Sequence, residues 1–344
     1  MGKTISLSKN SLGNSQPEKN KSLPTIHISE GDPTGINYEM MDALSHHFVL
    51  LERQFRIIFY KANHSFFPRA FQDATGTDPK QLGTGLYVQT VDCLDTTDQS
   101  KIRLGNPSEA SGAASYYSLQ VAMTTLKSLG GNLITLPLSK QWVKQSGQKE
   151  FVGHTEELAK FFKKKTFMMM TGPNLKVNPL TTHIPLVKVP EVLKKLDVKS
   201  FITALKNSKL LNSPKIGILG LNPHAGENGK VGTEEKTLLA PLISKLRKSG
   251  FTVSEPISAD SAFLPEERKK YDLFLSAYHD QGLIPFKLLE GKEGVNITLG
   301  LDFVRVSPDH GPAFAIAGKK LADATSLKTC LQFCKLGFPD ANLI

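Results

Sequence analysis

Three of the nine histidines fall just past apolar runs that end in polar turns: His183 in TTH, His224 in NPHAGE and His279 in AYHDQG. Three imidazoles that leave a coordination position open suit a divalent transition metal which also holds a substrate. Spacing alone does not make them converge, because none forms a local HxH or HExxH pair. The bland alternative for each is a hydrogen-bonded histidine in a turn. The densest chemistry lies between Leu273 and Ala313. The apolar run Leu273–Ala277 reads as a buried strand, and Tyr278-His279-Asp280-Gln281-Gly282 follows at its mouth. Lys287, Asn296 and Arg305 come next, each expected on a strand or loop that returns to the same cleft. An imidazole, a carboxylate and two cations in one stretch fit a small anionic substrate handled at a metal. Lysine and arginine neutralise phosphate, arginine in a bidentate fork.

The elements that must position these residues alternate along the chain. Pro24–Ile28 is a strand candidate that runs into the turn GDPTGI at 31–36 and a helix over Tyr38–Leu50. Phe55–Tyr60 is the next strand, 111–129 a helix stopped by Gly130, and Asn132–Leu138 a strand. Gly153-His154-Thr155-Glu156-Glu157 opens a helix that Thr155 is expected to cap. Phe167–Met170 and Lys215–Leu221 are buried strands, Val189–Leu196 a helix, and Thr233–Lys248 a long helix ended by Gly250. Strand, turn and helix in repetition predict an α/β architecture with a largely parallel sheet and a cleft at strand C-termini. Residues 1–22, rich in Ser, Asn, Lys and Gly, read as a flexible tail.

Composition narrows the class. Apolar residues at 40% and charged ones at 22% describe a globular protein, and no apolar run has the length of a membrane span. Cys93, Cys330 and Cys334 make no metal or disulfide framework, so a reducing, cytoplasmic setting is expected. The formal charge of +10 is scattered. Its densest group, Lys163-Lys164-Lys165, reads as a helix C-terminus whose dipole favours cations. Neither nucleic acid nor membrane is therefore expected as a partner, whereas a basic surface attracts phosphorylated metabolites.

Seven segments resemble one family in order and spacing: GDPTGI at 31–36, GHTEE at 153–157, TTHIPL at 181–186, GLNPHAGENGKVGTEE at 220–235, AYHDQG at 277–282, GVNITLGLDFVR at 294–305 and DHGPA at 309–313. The family is 4-hydroxythreonine-4-phosphate dehydrogenase of pyridoxal phosphate biosynthesis. The resemblance implies an isocitrate/isopropylmalate-dehydrogenase-like α/β fold with two domains and a cleft between them. Residues 23–130 with 307–344 would form the first domain, and 131–306 the second, with most metal and substrate residues. It also implies a homodimer with its active site at the interface, NAD (with NADP as the alternative) and a divalent metal such as Zn, Mg or Co. Carried over by motif, His183, His224 and His279 are the metal ligands. His154, Thr155, Lys287, Asn296 and Arg305 contact substrate, Asp260 and Asp280 are the acidic catalytic positions, and His310-Gly311 opens the cofactor loop. A Rossmann GxGxxG is absent from the chain.

Three places depart from the family pattern. Asn37-Tyr38-Glu39 stands where Gly-Pro-Glu is usual, Leu136 where a small residue is usual, and Pro312 where DHGTA has Thr. The reading that follows is an NAD-dependent, metal-assisted oxidation of a phosphorylated 3-hydroxy acid with loss of carbon dioxide, Asp260 or Asp280 relaying the proton. The alternatives are a relative acting on another phosphorylated hydroxy acid or a cis-dihydrodiol, a hydrolase using the same histidines to activate water, and a non-catalytic binding protein of this fold.

Overall fold

Short runs of apolar and β-branched residues bounded by Gly, Pro and Asn give eleven strands, joined into a single sheet among the described residues. The computed structural model describes residues 23–71 and 83–338. The expected tail at 1–22 lies outside them. In chain order the strands are β1 (Thr25–Ser29), β2 (Arg56–Ala62), β3 (Gly85–Val91), β4 (Asn132–Thr135), β5 (Phe167–Thr171), β6 (Lys176–Pro179), β7 (Lys215–Ile218), β8 (Thr252–Val253), β9 (Leu273–Ser276), β10 (Val295–Leu299) and β11 (Arg305–Pro308). Their order across the sheet is β3-β2-β1-β4-β11-β10-β5-β6-β9-β7-β8.

Two parallel stretches flank an antiparallel centre. On one side β3, β2, β1, β4 and β11 all run parallel. On the other, β6, β9, β7 and β8 do the same. Between them β10 is antiparallel to both β11 and β5, and β5 to β6. The mixed α/β architecture agrees with the expectation, and the antiparallel centre qualifies the largely parallel sheet. Several boundaries also differ. The helix expected over Tyr38–Leu50 breaks at Leu44 into Asn37–Ala43 and Ser45–Leu51. Strand β4 stops at Thr135, because Leu136–Leu138 leave the sheet. Over Thr233–Lys248, a wide five-residue turn at Glu235–Leu239 precedes a regular helix at Ala240–Lys248, and Pro241 in its first turn lacks the N–H to continue upstream. Lys287 lies on a helix, His279–Glu290, and neither on a strand nor on a loop. Among the described residues no helix is long and apolar enough to cross a membrane.

Central strand β1 is buried along its whole length between β2 and β4, Ile26 and Ile28 alternating with Thr25, His27 and Ser29. The bulkiest of these polar residues, His27, is fully buried. The Nε2 atom lies 2.9 Å from the Gly130 carbonyl and Nδ1 lies 2.7 Å from the Tyr60 hydroxyl. A neutral imidazole meets both needs, donating from Nε2 and accepting at Nδ1. Burial pushes its pKa down to about 4. A histidine whose pKa is lower folded than unfolded stabilises the fold above about 6.5 and loses that contribution as pH falls toward its folded value. Between pH 7 and 4.5 we expect His27 alone to withdraw roughly 2.5 kcal/mol of stability. Urea unfolding at the two pH values checks this: His27→Leu should be less stable than wild type at pH 7 yet lose clearly less on acidification. Equal losses would place the acid sensitivity elsewhere.

Candidate active site

Register sets where the histidines emerge. In β6 and β9, Pro179 pairs with Ser276, and in β9 and β7, Leu275 pairs with Ile218. Three adjacent parallel strands therefore end at one edge, and His183, His279 and His224 follow them in that spatial order. Two bonds draw the first two loops together: Leu180 donates its backbone N–H to the Ser276 carbonyl over 2.8 Å, and Thr181 its hydroxyl to the Ala277 carbonyl over 2.8 Å. The rings of His183 and His279 lie 5.4 Å apart, tilted by 42°. Nδ1 of His279 is 2.7 Å from Asp280 Oδ1, so the carboxylate fixes the tautomer that leaves Nε2 as the free, electron-donating nitrogen. Gln281 ties this corner to the next loop. Its Oε1 accepts from Ala277 N at 2.7 Å, and its Nε2 donates to the Gly220 carbonyl at 2.6 Å.

His224 sits apart from that pair, facing Asp260, Tyr278 and Gln281 across a cleft of about 300 Å³. Asp260 accepts a 2.6 Å hydrogen bond from the Ser258 hydroxyl, which with lesser help from His224 holds its carboxyl below the usual range. The backbone from His224 to Asn228 is left-handed throughout, φ running from 39° to 77°. Downstream acids hold this run: Asn222 donates its backbone N–H to Glu235 at 2.8 Å and its side-chain amide to Glu234 at 2.7 Å. Gly226 is required here, since a Cβ would lie 2.5 Å from Glu235 Oε2. Among the described residues no three His, Cys, Asp or Glu side chains gather at metal-binding distance. The chain thus presents an imidazole pair, His183 with His279, and a separate His224 beside Asp260.

A second cluster forms where β4, β11 and β10 adjoin. Arg305 is 2% exposed and is the largest buried side chain. Opposite Leu133 in β4, it reaches Thr135 with Nε at 3.1 Å, and it reaches Thr298 on β10 with Nη1 at 3.0 Å. Its three hydrogen bonds all go to threonine hydroxyls, leaving two of its five N–H groups for something else. Burial lowers its pKa to about 10, so it remains charged at neutral pH. His154 begins the helix His154–Phe162, and its Nε2 is buried with no partner. Burial, then the charges of Arg305 and Lys140, holds its imidazole well below the usual pKa and therefore neutral. Thr155 follows in the first turn, but it does not cap the helix. Gly153 occupies the cap position and no side chain closes it, which leaves the first amides free for an anion. Asn296, on β10 opposite Ser307, likewise has a buried Oδ1 without a partner. Thr298 carries no sequence signal of this role, since threonine is an ordinary strand residue.

The third group lies beyond β11. Asp309, His310, Gly311, Ser326, Asp323 and Ile36 line a cleft of about 580 Å³, within the usual range for cofactor sites. His310 is 2.9 Å from both the Gly311 carbonyl (Nδ1) and the Ser326 hydroxyl (Nε2), a pairing that keeps it in the loop wall. Lys287 meets this group from the His279–Glu290 helix through an ion pair with Asp309 at 3.1 Å.

The three departures from the family pattern serve the scaffold between these groups. Asn37 donates its amide to the carbonyls of Glu30, Asp32 and Pro137 at 2.9, 3.1 and 2.9 Å. The Tyr38 hydroxyl donates to buried Glu30 at 2.7 Å, and that carboxylate also accepts from Ala62 N at 2.6 Å. Leu136 is fully buried in the core. The Pro312 carbonyl accepts from Ile36 N at 3.0 Å and leaves no room for a Cβ on Gly35.

Comparison with known proteins follows the same motifs. Residues 44–334 match the family described as pyridoxal phosphate biosynthetic protein PdxA. The chain is 38% identical over 318 residues to the 4-hydroxythreonine-4-phosphate dehydrogenase of Sulfurihydrogenibium sp. strain YO3AOP1, covering 88% of this chain and 94% of that one. Crystal structures of 4-hydroxythreonine-4-phosphate dehydrogenases from Klebsiella pneumoniae and Burkholderia phymatum superpose with TM-scores of 0.73 and 0.69, at 28% and 31% identity. Each match covers 91% of this chain and 98% of the other. The chain belongs to the pyridoxal phosphate biosynthetic protein PdxA family and is an enzyme of the dehydrogenase class.

Proposed function

We propose that the protein oxidises 4-phosphohydroxy-L-threonine with NAD, the product losing carbon dioxide to give 3-amino-2-oxopropyl phosphate on the way to pyridoxal 5'-phosphate. The observation that carries this reading is the set of unmet bonds around Arg305. A buried cation with spare N–H groups, a buried His154 Nε2 and a buried Asn296 Oδ1 are costly in a finished core. They make sense as the two halves of an anionic, hydroxylated substrate's binding site. Arg305 takes the phosphate together with the free amides before Thr155, and Lys287 takes a second anionic end.

The donor set at the strand ends fits a divalent metal in kind: two imidazoles in contact, one oriented by a carboxylate, with a third on the neighbouring loop. His183 and His279 would hold it, with His224 as the third ligand once assembly brings the ring to the pair. Bound there, a divalent cation supplies Lewis-acid polarisation of the reacting hydroxyl, and NAD in the Asp309–Ser326 cleft supplies the hydride acceptor. Asp280 is engaged in orienting His279. Asp260, facing His224 across the smaller cleft, is left to accept the hydroxyl proton.

A homodimer with the site at its interface completes this reading. His183 and His224 are exposed, and so are the large apolar residues beside them: Leu186 at 65%, Val187 at 82%, and Ile284 and Leu288 on the His279–Glu290 helix at 59% and 80%. Apolar surface of this extent around polar catalytic groups is what a second protomer covers.

The founding test is NADH formation from 4-phosphohydroxy-L-threonine by protein reconstituted with Zn, Mg or Co, against a chelated control. Chelator-sensitive turnover supports the reading, and bound NAD with no turnover sends it to another phosphorylated substrate. Arg305→Met separates binding from stability. We expect kcat/KM to fall by about two orders of magnitude or more, the scale of two charge-assisted hydrogen bonds. Tm should hold or rise, because an unpaired buried charge leaves the core. A variant that is unstable yet active would make Arg305 a structural residue. Leu288→Asp should turn the dimer into a monomer by sedimentation velocity and abolish turnover with it. A monomeric wild type would sink the interface.

A further inference from the structure

The Lys287–Asp309 pair links the helix that starts at His279 to the cleft beyond β11. Lys287 is two turns along the helix that starts at His279, about 12 Å from the imidazole pair by helix rise. Asp309 is the first residue past β11 and lines the larger cleft beside His310 and Gly311. The same cleft is lined by a second ion pair, Lys292 with Asp323 at 2.8 Å. Lys287 is 55% exposed and Asp309 24%, so the pair contributes little to stability in water. Its position calls for another role.

The reacting end of a dinucleotide must lie against the substrate, which places it at the Lys287 end of the cleft, next to Asp309. The oxidised nicotinamide ring is a cation and the reduced ring is neutral. We propose that Asp309 is a positioning residue that couples the two sites: its carboxylate holds the Lys287 ammonium in the free enzyme and turns to the oxidised ring when cofactor binds, releasing Lys287 for the substrate anion. The inference rests on the proposed occupancy of this cleft by NAD. Four charges then alternate across the closed site, ring, Asp309, Lys287 and substrate, where exclusion of water strengthens each attraction. With the reduced ring the alternation is broken, and Asp309 falls back on Lys287. Oxidised cofactor and substrate thereby favour each other's binding, and by linkage the effect is reciprocal.

Calorimetric titration of the full-length protein with NAD and with NADH, without metal or substrate, tests this on wild type, Asp309→Asn and Lys287→Met. Asp309→Asn should weaken NAD about tenfold and leave NADH within about twofold. Lys287→Met, which removes the competing cation, should tighten NAD several-fold and leave NADH alone. Equal shifts for both forms of the cofactor, or none, overturn the coupling while leaving the cleft as the cofactor site. Failure of wild type to bind either form overturns the cleft assignment itself, and the coupling with it. Because Lys287 is half-exposed, its variant keeps the test decisive should Asp309→Asn not fold.

Discussion

Arg305 brings a full positive charge into the centre of an eleven-stranded sheet and meets threonine hydroxyls there in place of a carboxylate. That arrangement depends on the antiparallel insertion at the sheet's middle. Its partner in β4 is Leu133, so Thr135, two residues on, points to the same face. The antiparallel neighbour β10 sets Thr298 across from Arg305 on that face as well. The charge is thus held by groups that cannot neutralise it, and the surrounding chain supplies further unmet donors and acceptors in His154 and Asn296.

The rest of the site is distributed around that charge by rigid spacers. The helix His279–Glu290 begins at the imidazole pair and carries Lys287 to Asp309 at the larger cleft, so one element fixes the span between the two groups. Strands β6, β9 and β7 do the same along the sheet edge, with histidines delivered at strand ends. The GDPTGI loop lies between two of these regions. Through Asn37 it bonds to the exit of β4, and through Ile36 it bonds to Pro312 at the cofactor loop. Cavities, helix and loop form one frame with several ligand positions.

Much of this frame was legible in the residues. Apolar runs ending in TTH, NPHAGE and AYHDQG mark strands β6, β7 and β9 with a histidine just beyond each, and the α/β alternation follows from glycine-bearing turns. Adjacency was not legible. The sheet inserts β9 between β6 and β7, so the chain's last histidine of the three becomes the middle one in space, and nothing local encodes that order. Lys287 is on a helix although Gly282 and Pro285 interrupt the helical pattern, because burial of Leu283 and Phe286 on one face carries the helix through. The cap position expected at Thr155 is taken by Gly153, and Thr155 lies inside the first turn. Thr298 was invisible because a strand threonine is common and only register makes it a partner. Asn37, Tyr38 and Leu136 stood out as departures around a site, yet each is occupied in holding backbone or filling core.

The left-handed run from His224 to Asn228 has an evolutionary consequence. Each non-glycine residue in that conformation costs roughly 1–2 kcal/mol, and four of the five are not glycine. The loop keeps its shape because Glu234 and Glu235, ten residues downstream of its start, grip Asn222. Neither segment is advantageous without the other: the acids alone would bury charge, and the loop alone would spring open. Substitution at Glu235 therefore stops being neutral for as long as the His224 turn is kept. The turn and its two acids act as one mechanical unit, longer than the histidine it presents.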